Sequence, residues 1–235
     1  VQNHPRGTIH HEILSNSLAL NLDLLGDVLW MVTYITLIVV AFREQRLGIP
    51  AIAICLNFTW ELVYTFVHPP PSAAHVAAQC LWVILDSVIV FQLFRFGNQP
   101  NMTKRHYNTG FLIGVVLAFF GHLIYIRLYN SIDPYGSMLA YFINLVMSVM
   151  FISMILNRRD TKGISYLVAW SKMLATAVIT LSVWLMYYDK LEVAGMSLYV
   201  GFCTAVFDVY YIYLVHKAKR ESADEDPGDV LPATT

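Results

Sequence analysis

Seven stretches of this 235-residue chain are each long and apolar enough to cross a bilayer as a helix: 24–42, 47–67, 76–96, 109–129, 135–156, 164–188 and 194–216. A spanning helix needs about 20 predominantly apolar residues. No other feature constrains the fold as tightly. Inside hydrocarbon every backbone N–H and C=O must be satisfied within the protein, so only helices and closed barrels span. Runs this long without strict alternation are helical rather than strand-like. The breaks agree: Arg43-Glu44-Gln45-Arg46 closes the first run, and His68-Pro69-Pro70-Pro71 closes the second, where proline cannot continue a helix. The sequence therefore predicts an all-α integral membrane bundle of seven transmembrane helices over 24–216. A short N-terminal segment, 1–23, precedes it, and an acidic, proline-containing tail, 217–235, reads as disordered.

Charge then sets the orientation. Arg43 and Arg46, Arg95, Lys104 and Arg105, Arg158, Arg159 and Lys162, and Lys217, Lys219 and Arg220 all fall on one side, against Arg6, Arg127 and Lys190 on the other. The positive-inside rule then puts the N-terminus outside and the C-terminus in the cytoplasm. Only 13% of residues are charged, well below the roughly 25% of soluble domains, and the net charge of −1 excludes the basic excess of a nucleic-acid partner. Cys55, Cys80 and Cys203 lie in apolar runs without metal-ligand spacing and read as small core residues.

Against this background Glu61 stands out, because an ionisable group at membrane depth is expensive and marks function. Asn57, Trp60, Glu61 and Tyr64 share one helical face at i, i+3, i+4 and i+7. So do Gln79, Trp82 and Asp86; His122, Tyr125 and Tyr129; Tyr141, Asn144 and Ser148; and Thr204, Asp208 and Tyr211. A rise of ~1.5 Å per residue places Glu61 and His122 ~10 Å from the outer surface, Asp86 and Asn144 ~15 Å, and Asp208 ~20 Å. Five polar groups from five helices thus share the outer half and middle of the membrane, and a single outward-opening pocket is expected. The plainer reading is interhelical hydrogen bonding, worth about 0.6 kcal/mol a pair. It suits Asn144 and Ser148 as well as function does, but it accounts poorly for three carboxylates flanked by aromatics. Asp27 and Trp30 fall at the outer mouth, and Lys172 reads equally as a snorkelling interface residue.

No HExxH, clustered His/Cys ligands, aspartate-rich diphosphate pattern or Gly-rich phosphate loop occurs, so neither metal nor other cofactor is expected. What remains is a Brønsted acid, carboxylates and π faces. A desolvated carboxyl tends to stay protonated, and aromatic faces stabilise a cation by up to about 2 kcal/mol. Exclusion of water protects a reactive intermediate. These parts suit acid-initiated carbocation chemistry on a lipophilic substrate. Because desolvation also makes the acid a reluctant donor, an easily protonated epoxide suits the site better than a bare alkene.

Asn57-Phe58-Thr59-Trp60-Glu61, the Gly121-His122 pair, Ser165-Tyr166 through Trp170-Ser171-Lys172, and Asp208 together resemble the Pyr4-like integral membrane terpene cyclases. This family includes fungal meroterpenoid and indole-diterpene cyclases and bacterial indole-sesquiterpenoid cyclases. The resemblance covers all seven spans in the same order. It implies a small, metal-independent class II type of cyclase that protonates the far end of a prenyl chain on an aromatic acceptor. It also implies that Glu61 and Asp208 are the two essential acids, and the family often keeps arginine where Lys172 stands and can carry asparagine at Asp86. The shared faces and depth add Asn57, Trp60, Tyr64, Trp82, Asp86, His122, Tyr125, Asn144 and Tyr211 as residues expected around the substrate. The implied partners are a prenylated small molecule and the lipid bilayer, either the cell membrane (if bacterial) or the endoplasmic reticulum (if fungal). No oligomeric state is read from the sequence. A small proton-coupled transporter is the rival reading, since intramembrane carboxylates also relay protons. Transporters tend to carry internal repeats, and Trp60-Glu61 has no counterpart in the second half. A retinal photoreceptor would need a lysine in the last span, where this chain has Asp208.

Overall fold

The structure, a computed structural model, describes residues 6–71, 73–97, 102–158, 160–187 and 190–224. Among these it is all helical, with seven helices: α1 (Arg6–Glu44), α2 (Ala51–Leu62), α3 (Ala73–Phe96), α4 (Lys104–Tyr129), α5 (Ser137–Leu156), α6 (Tyr166–Tyr187) and α7 (Leu191–Asp224). Six of them, all but α2, are long and apolar enough to cross a membrane. Bilayer-facing leucines and aromatics such as Leu117, Leu128, Phe202 and Tyr213 stay exposed along their outer faces. These features define an integral membrane protein.

Two ends differ from the hydropathy reading. Helix α1 starts at Arg6 rather than near 24, because no proline interrupts the chain between Arg6 and Glu44. Helix α7 continues past 216 to Asp224, carried by i,i+4 partners such as Lys217 and Glu221, 3.9 Å apart. Residues 217–224 of the expected tail are therefore helical, and 225–235 lie outside the described residues.

Helix α2 is the exception in length. Pro50 caps its start at φ −66°, and the chain leaves helical geometry at His68, just before Pro69-Pro70-Pro71. Its last turn, Val63–Val67, widens into a π-helix directly after Glu61. Single π turns recur at functional sites, since the extra residue re-aims the side chains before it. Helical continuity from Ala51 to Val67 covers only about 25 Å at 1.5 Å per residue, short of the span expected over 47–67.

Packing closes six helices into a ring in the order α1, α3, α2, α5, α7, α6, with α4 outside it, packed on α2 and its π turn. The shared core runs through Leu37, Ile54, Ile89, Leu93, Phe151, Val168 and Val215. Helices α1 and α6 approach closely: a Cβ on Gly26 would fall 2.3 Å from the Ile179 side chain. Ser171 and Thr33 hydroxyls, 2.7 Å apart, and the Ser182 hydroxyl donating to the Ala19 carbonyl at 2.8 Å, bridge the same pair. At one end of the bundle the Arg158 guanidinium donates to the Leu47 carbonyl at 2.6 Å and the Glu44 carboxylate accepts from the Gly163 amide at 2.5 Å. At the other end the α4–α5 connection folds over α2.

That connection is a preformed cap. Asp133 Oδ2 accepts from the Met138 and Leu139 amides, at 3.0 and 3.4 Å, and from the Tyr125 hydroxyl at 2.9 Å, so one carboxylate starts α5 and ties it to α4. Gly136 sits at φ +68°, and a Cβ there would meet the Tyr64 ring at 2.2 Å. Gly136→Ala is accordingly expected to lose about 1–2 kcal/mol from the left-handed backbone alone, before the clash is counted. A fall in the detergent melting temperature checks this.

Candidate active site

A cavity of about 620 Å³ lies inside the helix ring, a volume typical of sites that enclose a small ligand. Its wall is mostly apolar and aromatic. Helix α1 supplies Asp27, Trp30 and Tyr34; α2 supplies Asn57, Trp60 and Glu61; and α3 supplies Gln79 and Trp82. Helix α5 adds Tyr141, Asn144 and Met147, and α6 adds Thr176, Ile179 and Tyr187. Pro70, Pro71, His75 and Tyr135 form the rim at the capped end. A second depression, of about 680 Å³ between α2 and α4, is lined by groups such as Cys55, Phe111, Gly114 and Leu117 and includes no carboxylate.

Glu61 is buried in the cavity wall, and its Oε2 has no hydrogen-bond partner. Among the described residues no lysine or arginine forms a salt bridge with it, and Asp27 is the other carboxylate lining the cavity. Behind Glu61 a polar network anchors α2. The Asn57 amide donates to the Tyr34 hydroxyl at 2.6 Å and to Asp86 Oδ2 at 2.9 Å. Trp60 is fixed at both edges, donating from Nε1 to the Gly136 carbonyl at 3.2 Å and lying against Tyr64 with ring centroids 4.9 Å apart. Trp82 meets the Tyr34 ring edge-on at 5.2 Å, and Tyr34 meets Trp30 at 6.3 Å.

Asp27, Trp30, Asn57, Trp60, Glu61, Gln79, Trp82, Tyr141 and Asn144 thus reach the cavity, whereas Tyr64, Asp86, His122, Tyr125, Asp208 and Tyr211 do not line it. Asp86 stands one hydrogen bond behind, on the far side of Asn57. Tyr64 is buried beneath Gly136. His122 and Tyr125 belong to α4, which the ring leaves outside, so the shared depth read from the sequence did not mean a shared pocket. Tyr211 packs on Phe151, 5.0 Å between rings, on the face where α7 wedges behind α5 and α6.

Asp208 lies in that same wedge. Lys172 Nζ donates to both its carboxylate oxygens, at 2.8 and 2.9 Å, and to Ser148 Oγ at 2.6 Å. Both charges are almost wholly buried, so Lys172 does not snorkel to the interface. Opposite charges inside two apolar runs, Lys172 and Asp208, are the sequence signal that could have pointed to this pair. The ion pair underlies the cavity floor: one turn along α6, Thr176 Oγ1 donates to the Lys172 carbonyl at 3.0 Å and accepts from Asn144 Nδ2 at 2.7 Å.

Several cavity residues had no place among the candidates. Tyr34 and Thr176 could have been found, since Tyr34 extends the Asp27–Trp30 face by one turn and Thr176 follows Lys172 by one turn. His75 and Tyr135 sit at element starts and in loops, where periodicity carries no information.

A largely apolar, aromatic chamber inside a helical membrane bundle, with a buried, unpaired carboxyl oxygen in its wall, marks a membrane enzyme that works on a lipophilic substrate. The chain belongs to the Pyr4-like transmembrane terpene cyclases, a family that matches residues 3–221, and it is a terpene cyclase. Relatives that it resembles include terpene cyclases of fungi. It is 26% identical to terpene cyclase cle7 of Aspergillus versicolor over 72% of each chain, and 29% identical to terpene cyclase macJ of Penicillium terrestre over 65% of this chain and 61% of that one. Asnovolin H synthase nvfL of Aspergillus novofumigatus is 27% identical over 69% of this chain and 68% of its own. No solved structure matches the chain significantly.

Proposed function

We propose that this membrane cyclase protonates the terminal epoxide or alkene of a prenylated aromatic, an indole or a meroterpenoid precursor, and guides the ensuing carbocation polycyclisation without a metal. The observation that carries the reading is Glu61, a buried carboxyl with an oxygen that has no partner and, among the described residues, no salt bridge, in a mostly apolar, tryptophan-lined wall. A buried carboxyl without a counter-ion is cheaper to hold as the acid than as the anion, which is the state a proton donor needs. Transfer from its oxygen to the epoxide oxygen, or to an alkene carbon, opens the cation. Attack by successive double bonds then closes the rings, and a final proton loss or water capture ends the sequence. The faces of Trp30, Trp60 and Trp82 line the same chamber and suit stabilisation of the travelling charge.

Asp208 takes a different part in this reading. Its tie to Lys172, away from the cavity, suits holding the floor under Asn144 and Thr176 more than delivering a proton. Seven spans, with the N-terminus outside and the C-terminus cytoplasmic, would open the rim at Pro70, His75 and Tyr135 to the outer leaflet.

Incubating the purified protein with farnesyl and geranylgeranyl aromatics, each with and without a terminal epoxide, tests the proposal by mass spectrometry and NMR. Cyclised product is expected, with the epoxide turned over faster. Proton-coupled transport in liposomes with no product from any of them would instead support the transporter reading. Trp82→Leu is expected to cut turnover about tenfold, the share of one desolvated cation–π contact, with little change in the melting temperature. Reporter fusions read orientation: a C-terminal fusion should remain inaccessible to an impermeant probe in right-side-out vesicles.

A further inference from the structure

We infer that the cavity selects its substrate by a hydrogen-bond donor on the ring system, an N–H or O–H received by the side-chain carbonyl of Asn144, with Gln79 offering a second carbonyl from the same cavity wall. The inference rests on the cyclase reading for the identity of the substrate, though not for the binding chemistry.

The direction of the Asn144 carboxamide is fixed by the network behind it. A hydroxyl has one proton to give, and Thr176 Oγ1 gives its own to the Lys172 carbonyl. It can therefore only accept from Asn144, so the nitrogen end of the amide faces Thr176 and the oxygen end is left over. That oxygen, Asn144 Oδ1, is buried with no partner, and so is Gln79 Oε1. Both residues line the cavity. The same logic holds at Asn57, whose amide hydrogens are committed to Tyr34 and Asp86. Asn144 and Gln79 thus each bring an unpaired carbonyl oxygen to this wall, while the Tyr141 hydroxyl, also unpaired there, can serve a substrate as donor or acceptor.

Such a wall also discriminates against the most abundant competitor. A lipid acyl chain fits an apolar chamber but has no donor, so it would leave buried carbonyls unsatisfied, whereas a donor-bearing ring pairs with one. Specificity of this kind comes from penalising the wrong occupant as much as from rewarding the right one. Thr176 acts here as a positioning residue, fixing which end of the amide the substrate meets.

Tritiated 3-farnesylindole and its N-methyl derivative, and 2-farnesylhydroquinone and its dimethyl ether, bound to the protein in nanodiscs, test this, with product analysed in the same samples. In at least one pair the donor-bearing probe should bind about tenfold more tightly, the worth of one buried hydrogen bond. Asn144→Leu should bring that probe down to the affinity of its methylated partner and leave the partner unchanged. Thr176→Val, which keeps the side-chain shape but frees the amide to turn, should lose part of the same preference. Equal affinities within both pairs, no binding of any probe, or equal weakening of both members by Asn144→Leu would overturn the inference. Product without donor preference would sink this inference alone, and donor preference without product would sink the cyclase reading alone.

Discussion

Glu61→Gln is expected to lower cyclisation by at least about 10²–10⁴-fold, the range supplied by a positioned general acid, while the protein stays folded in detergent. The substitution is nearly isosteric and removes only the transferable proton. Glu61 Oε2 has no partner, so an amide at this place breaks no hydrogen bond of that oxygen and creates no unpaired charge. A stability loss is therefore not the expected cause, and substrate binding should survive. The measurement is single-turnover product formation beside a melting curve. Near-normal turnover in Glu61→Gln would remove the residue from the chemistry and move the search to Asp27, the other carboxylate lining the cavity.

The second large effect lies in the buried ion pair. Asp208→Asn leaves the Lys172 ammonium without its counter-charge, and Lys172→Met leaves Asp208 equally stranded. Breaking such a pair from one side costs about 3–5 kcal/mol, because the remaining charge stays buried. Both single variants should melt at markedly lower temperature and lose most of their turnover as the floor beneath Asn144 and Thr176 shifts. Replacing both partners by apolar residues of similar volume is often neutral or stabilising. The double variant Lys172→Met/Asp208→Leu should therefore recover its melting temperature and a large part of its turnover. Recovery of stability without any recovery of turnover would return Asp208 to the chemistry as an acid or cation stabiliser. This comparison separates holding a site from acting in it.

Helix existence was legible because hydrocarbon leaves a chain so few options. The apolar runs marked all seven helices, and Pro69 to Pro71 marked the end of α2, whereas its start at Ala51, set by Pro50, lies past the expected 47. The ends of α1 and α7 were less legible, since hydropathy marks where a helix stays apolar and not where it stops. Within the site, face periodicity brought together Asn57, Trp60 and Glu61, whose spacing lies on one helix. It failed between helices. His122 has the right depth and residue type, yet α4 packs outside the ring on α2. Depth is one coordinate of three, and helix order around the ring supplies the others.

Glu61 shows the same division. Its sequence alone determined that an acid sits at membrane depth among aromatic residues on one helical face, because a period of 3.6 residues and the cost of charge in lipid are local physics. Only the tertiary structure decided which acid faces the chamber and which is tied away. That choice depends on ring order and on a lysine from a neighbouring helix, 36 residues from Asp208 in the chain. Among the described residues no salt bridge joins Glu61 to a cation, and Asp208 has Lys172.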